Sequence, residues 1–122
     1  MKLSEIMTVL DAEVLTNETA DEMELCEINT ACGSDLMSDV LAFVKDQSLL
    51  LTGLINSQVI RTAEMMDIVA VCFVRGKKPA DDVIELAKSK DIAILTTEYP
   101  LYTACGKLYE KGLGGRSGAK AL

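Results

Sequence analysis

Three strand–loop–helix units follow one another between Leu49 and Lys111, and this run constrains the fold more than any other feature of the chain. The units read Leu49 to Leu54, Asn56-Ser57 and Gln58 to Asp67; Ile68 to Val74, Arg75 to Lys78 and Pro79 to Lys90; and Ile92 to Thr96 followed by Leu101 to Lys111. Each apolar run is too short to cross a bilayer and too uniformly apolar for a strand with one wet face, so it suits a strand buried on both sides. A helix between successive strands carries the chain back, so the strands pair in parallel as neighbours through right-handed crossovers. In the second unit Asp81 and Asp82 begin a helix whose last turn holds Lys88 and Lys90, signs that suit the helix dipole, with Pro79 expected at its first position.

The N-terminal third is less regular. Leu3, Ile6, Met7 and Leu10 fall on one face of a two-turn helix, and Asp11 to Thr16 reads as a short peripheral strand. Asn17 to Glu22 reads as a polar connection, and Met23 to Ala31 as a strand that runs through Cys32-Gly33 into a helix from Leu36. That helix spaces Leu36, Met37, Val40, Leu41, Phe43 and Val44 at its 3.6-residue period, with Ser34 or Asp35 as N-cap. The expected architecture is a three-layer α/β/α sandwich around a mostly parallel, roughly five-stranded sheet. Residues 1–113 form a single domain in this reading; the glycine-rich stretch from Gly112 frays, and 114–122 is a flexible C-terminal tail.

Composition narrows function mainly by exclusion. The 122 residues contain no His, which removes Ser/His and Cys/His nucleophile pairs and imidazole acid–base chemistry. Neither a GxGxxG turn nor a GxxxxGK[ST] loop follows any strand, and nothing in the sequence brings two carboxylates together in a cleft. A net charge of −7 and an absence of Trp argue against nucleic acid as a partner, and no apolar run is long enough for a membrane span. No signal peptide is visible at the N-terminus, so the expected location is cytoplasmic. The charge is uneven, −9 over residues 1–50 and +2 over the remainder, which suits either subunit contacts or solvated acidic turns.

An open parallel sheet binds ligands beyond the carboxyl ends of its strands, so four loops carry the candidate site. Arg75-Gly76-Lys77-Lys78 concentrates positive charge before a helix N-terminus and suits an anion, or serves simply as a solvated turn. Gly33-Ser34 and Asn56-Ser57 precede helices and offer amides and hydroxyls to a ligand, or else only cap those helices. The segment Thr96 to Tyr99 completes the set. Cys26, Cys32, Cys72 and Cys105 form no CxxC pair and are expected to be reduced, with no metal site. Cys32, just before a helix start, is a redox or iron–sulfur candidate, alone or with Cys26, since the dipole would lower its pKa while Asp35 and Asp39 oppose the thiolate.

At these loops the chain resembles a known family. Lys2-Leu3-Ser4-Glu5-Ile6, Ala12-Glu13-Val14-Leu15-Thr16, Ser34 to Leu41 and Gly76-Lys77-Lys78-Pro79 together look like the DRTGG domain family, over essentially Met1 to Leu113. Its members are small α/β modules similar to the N-terminal domain of HPr kinase, found alone, within phosphotransacetylases, or between CBS domains of pyrophosphatases. Stand-alone members of this type resemble proteins encoded beside iron-only hydrogenase genes. At the places that give the family its name, an Asp-Arg pair and a Thr-Gly-Gly turn, this chain reads Asn56-Ser57 and Val74-Arg75-Gly76, keeping only Gly76. The resemblance implies a non-catalytic regulatory or scaffolding module that homodimerises and contacts a partner enzyme or regulatory protein, with no cofactor. The alternative is a sensor that holds a nucleotide or other phosphorylated small molecule at the strand ends, with Arg75, Lys77 and Lys78 countering its charge.

Overall fold

Strands that must be buried on both faces need a helical layer on each side, and the computed structural model, which describes residues 1–43 and 47–115, is built that way. Among the described residues six helices, α1 (Leu3–Leu10), α2 (Ala20–Leu25), α3 (Met37–Phe43), α4 (Ser57–Met65), α5 (Asp81–Ser89) and α6 (Leu101–Glu110), enclose five strands. The strands are β1 (Glu13–Val14), β2 (Thr30–Gly33), β3 (Ser48–Thr52), β4 (Ile68–Phe73) and β5 (Ala93–Thr96), in the spatial order β1-β5-β4-β3-β2. All neighbours run parallel except β1, which pairs antiparallel to β5 through Glu13 with Thr96 and Val14 with Leu95. The short peripheral strand and the three consecutive units read from the sequence are therefore present, within a mostly parallel sheet.

Strand alternation divides the core into two. Leu49, Leu51, Ala70, Cys72, Ala93 and Leu95 point to one face, where Leu3, Ile6 and Leu10 of α1 and Ala104 and Leu108 of α6 cover them. Leu50, Val71, Phe73 and Ile94 point to the other, against Met37 and Val40 of α3, Val59, Ile60 and Ala63 of α4, and Val83 and Ala87 of α5. Without Trp, the core is aliphatic apart from Phe73, which is fully buried.

Residues 20–29 depart from the sequence reading. Thr19 caps α2, accepting from the Glu22 amide at 3.1 Å while the Glu22 carboxylate accepts from the Thr19 amide at 3.0 Å, so the polar connection and the start of the supposed strand are a helix. Leu25 is 85% exposed, which rules it out of any buried strand, and β2 begins only at Thr30. Pro79 is also displaced: Ala80 occupies the N-cap of α5 and Asp81 its first position, leaving Pro79 buried just outside the helix. Val44, expected at the end of α3, lies outside the described residues.

The glycine-rich end of the chain does not fray from Gly112. Leu113 is 4% exposed within the α1/α6 core, and the Gly114 carbonyl accepts from the Ala31 amide at 3.0 Å on the outer edge of β2. Residues 116–122 of the expected tail lie outside the described residues. Leu113→Ala is predicted to destabilise the fold by about 2–4 kcal/mol, the usual cost of emptying a buried Leu site, as measured by urea unfolding. An unchanged midpoint would place this segment outside the core.

Candidate functional site

At the carboxyl end of the sheet the loops after β2, β3, β4 and β5 meet, and the turn after β4 organises them. Arg75 and Gly76 are both left-handed, with φ of 59° and 68°, and the Lys77 amide closes the turn onto the Val74 carbonyl at 3.2 Å. The loop after β5 clamps this turn: the Tyr99 carbonyl accepts from the Arg75 amide at 2.9 Å and the Thr97 carbonyl from the Gly76 amide at 2.8 Å. The Thr96 hydroxyl adds a third tie by donating to the Lys77 carbonyl at 2.8 Å. A side chain at Gly76 would collide with the Glu98 carboxylate as well as face a left-handed backbone.

Beside the turn, Asp35 holds the β2–α3 loop to the end of β3. Its Oδ1 accepts from the Gly53 amide at 2.6 Å and from the Thr52 hydroxyl at 3.1 Å. Asp35 is therefore not the cap of α3. Ser34 takes a local role, accepting from the Leu36 amide at 3.0 Å, and α3 starts only at Met37. Gly53 is buried beneath Arg75 and Asp35, and its missing side chain leaves room for both: a Cβ there would lie 3.1 Å from a guanidinium nitrogen of Arg75 and 3.4 and 3.5 Å from the two Asp35 carboxylate oxygens.

The eight sequence candidates do not act as one cluster. Arg75, Gly76 and Lys77 share the turn, but Lys78 leaves it to pair with Glu13 of β1 at 3.6 Å, which removes one of the three expected positive charges. Asn56 stands at the N-cap position of α4 without a capping side-chain bond, and Ser57 is the first helical residue, so capping does not engage the Asn56 side chain. Gly33 lies apart from these residues, packed under Leu101 and against the Cys105 sulfur of α6. Asp35 and Gly53 were missed as site residues; the only sequence signal for Gly53 was a glycine directly after a buried strand.

The cysteines are poorly suited to redox chemistry. Cys32 sits on β2 rather than at a helix start, and burial, helped by the nearby Cys105 and Asp39, pushes its thiol up rather than down. Burial raises Cys26 as well, with Glu18 and Glu27 adding to it, and takes Cys72 to about 12. All four are free thiols, and among the described residues no group of three or more His, Cys, Asp or Glu is arranged to hold a metal ion. Among those residues, too, no helix is long and apolar enough to cross a membrane.

The fold and this loop cluster define a small three-layer α/β module with exposed side chains of both charges beside a buried glycine at the carboxyl ends of its strands. A family model for the DRTGG domain matches residues 5–110, and the chain belongs to that family. Among solved structures it is similar to the CBS and DRTGG domains of the regulatory region of Clostridium perfringens pyrophosphatase, complexed with an activator, diadenosine tetraphosphate. The two share a TM-score of 0.67 at 18% identity, over 88% of this chain and 45% of that one, so this chain spans less than half of that structure. Against curated proteins the sequence finds no match.

Two outcomes are expected from this geometry. Gly76→Ala destabilises the fold by at least about 1 kcal/mol in chemical denaturation, because it combines left-handed strain with the Glu98 collision. At pH 8 each cysteine reacts with iodoacetamide more slowly than a free thiol, because a raised pKa lowers the thiolate fraction, and Cys72 reacts only on unfolding. Alkylation of Cys32 faster than the free thiol would revive a redox role.

Proposed function

We propose that this chain is a non-catalytic regulatory module whose input is a small phosphorylated ligand held in the carboxyl-end crevice, and whose output is contact with a partner protein in the cytoplasm. The observation that carries the reading is the Arg75 guanidinium, which lies over the bare Gly53 and enters no ion pair among the described residues. A planar guanidinium left free in this way suits a phosphate, which it can grip with two parallel hydrogen bonds. Lys77 adds charge from the same turn. Family membership supports a regulatory role, as does the regulatory setting of the pyrophosphatase domains to which the fold is similar.

Thermal-shift titration with adenosine 5′-monophosphate, other adenine nucleotides and acyl phosphates tests the reading. A ligand at a hundred times its dissociation constant adds about 2.7 kcal/mol of stability, and Arg75→Ala abolishes the shift while leaving the fold intact. A flat response across the set would reject the ligand-sensing part.

A second reading, a scaffold that works as a homodimer, is favoured by the outer face of α6. Tyr102 is 90% exposed, Tyr109 lies seven residues further along, and a Cβ at Gly106 between them would meet no atom within 4 Å. A depression of about 550 Å³ follows this face along Tyr102, Cys105, Gly106 and Tyr109. Such a surface lets a second helix approach closely at the glycine. Sedimentation velocity across a concentration series is expected to show a dimer that Gly106→Glu dissociates; a strict monomer at all concentrations would remove this reading.

A further inference from the structure

We propose that the crevice reads a hydroxylated phosphomonoester, the sugar-phosphate unit of a nucleotide or a free sugar phosphate, with Arg75 taking the phosphate and Asp35 taking a hydroxyl. The proposal rests on the ligand-sensing reading above and adds Asp35 as the specificity-determining residue.

Asp35 and Arg75 are brought to one point and yet remain apart. Both have side-chain atoms within 3.5 Å of the place where a Gly53 Cβ would sit, but they form no ion pair. Both side chains are exposed, where an ion pair gains little. The Asp35 carboxylate is moreover held in place, its Oδ1 occupied by the Gly53 amide and the Thr52 hydroxyl. Among the described residues its Oδ2 accepts no hydrogen bond, and like the guanidinium it lies within 3.5 Å of where a Gly53 Cβ would sit. The result is a fixed acceptor beside an open donor fork, over a floor with no side chain.

This arrangement sorts ligands by chemistry. An ionised carboxylate only accepts hydrogen bonds, so beside an anion it requires a group that donates, and a sugar hydroxyl next to a phosphate ester is such a group. Methyl phosphate, a monoester whose dianion has no hydroxyl, fills the guanidinium and leaves the carboxylate facing it without a donor. A polyphosphate chain fares no better: Glu98 stands against Gly76, so the carboxylates of Asp35 and Glu98 offset the charges of Arg75 and Lys77, and Lys78 is already paired with Glu13. The crevice therefore has little excess positive charge with which to hold a triphosphate.

Isothermal titration of the full chain with ribose 5-phosphate, adenosine 5′-monophosphate, methyl phosphate and adenosine 5′-triphosphate tests this. Ribose 5-phosphate or the nucleoside monophosphate is expected to bind at least about tenfold more tightly than methyl phosphate or the triphosphate, the increment of one charge-assisted hydrogen bond. Binding of both sugar phosphates points to the shared unit, and tighter binding of the nucleotide alone adds a base contact to it. Asp35→Asn keeps an oxygen for the Gly53 amide but loses the charge, and should remove most of that preference while methyl phosphate still binds. Equal affinity for ribose 5-phosphate, the nucleoside monophosphate and methyl phosphate in the native chain would overturn the proposal whether or not the variant folds, and would leave the anion reading of Arg75 intact. So would a preference that Asp35→Asn does not change. No binding by any of the four would defeat both.

Discussion

β4 has no free side. β3 and β5 take its backbone groups at both edges, and Ala70 and Cys72 on one face and Val71 and Phe73 on the other are fully buried. A strand in that position can be left only at its ends, so the chain emerges at Val74 into a space already bounded by the loops after β3 and β5. There the chain makes a tight left-handed turn at Arg75-Gly76, and the backbone bonds to Thr97 and Tyr99 of the loop after β5 hold it. A non-glycine residue in the left-handed region costs about 1 kcal/mol, which the clamp from two carbonyls offsets. The position of the arginine is thus set by the sheet: its turn sits at the end of the central strand, clamped by the neighbouring loop after β5.

The parts of the fold that were legible in the sequence are those governed by burial on two faces. Leu49 to Leu51, Ile68 to Phe73 and Ile92 to Leu95 are apolar because no other residues survive between two helical layers, and their order in the sheet follows from one helix between each pair. The segment from Asn17 to Ala31 was misread because Met23, Leu25, Ile28 and Thr30 imitate a strand's alternation. The Thr19 and Glu22 capping box was present as a local signal, but in a short acidic stretch it was outweighed by that alternation. The docking of Leu113 and Gly114 had no local signal at all. It arises because β2 offers an open edge, and only the assembled sheet has an edge.

The site divides in the same way. Its position was legible from topology and its arginine from a basic turn in an acidic chain. Asp35 was not, because its role depends on the Gly53 amide, which is eighteen residues away in sequence and adjacent only once β2 and β3 pair. Lys78 looked equivalent to Lys77 until the antiparallel β1 placed Glu13 within reach of it. Cys32 also lies elsewhere than at a helix start: it belongs to a strand in contact with the core, where burial and Cys105 add to the opposition expected from Asp39.

The account places ligand recognition at the turn after β4 rather than on the helical surface of the module. Backbone amide resonances followed during titration with adenosine 5′-monophosphate test that most directly. The account predicts that Gly53, Ser57, Arg75 and Gly76 shift together and saturably while Tyr102 and Gly106 stay fixed. Shifts confined to α6, with the turn silent, would contradict it.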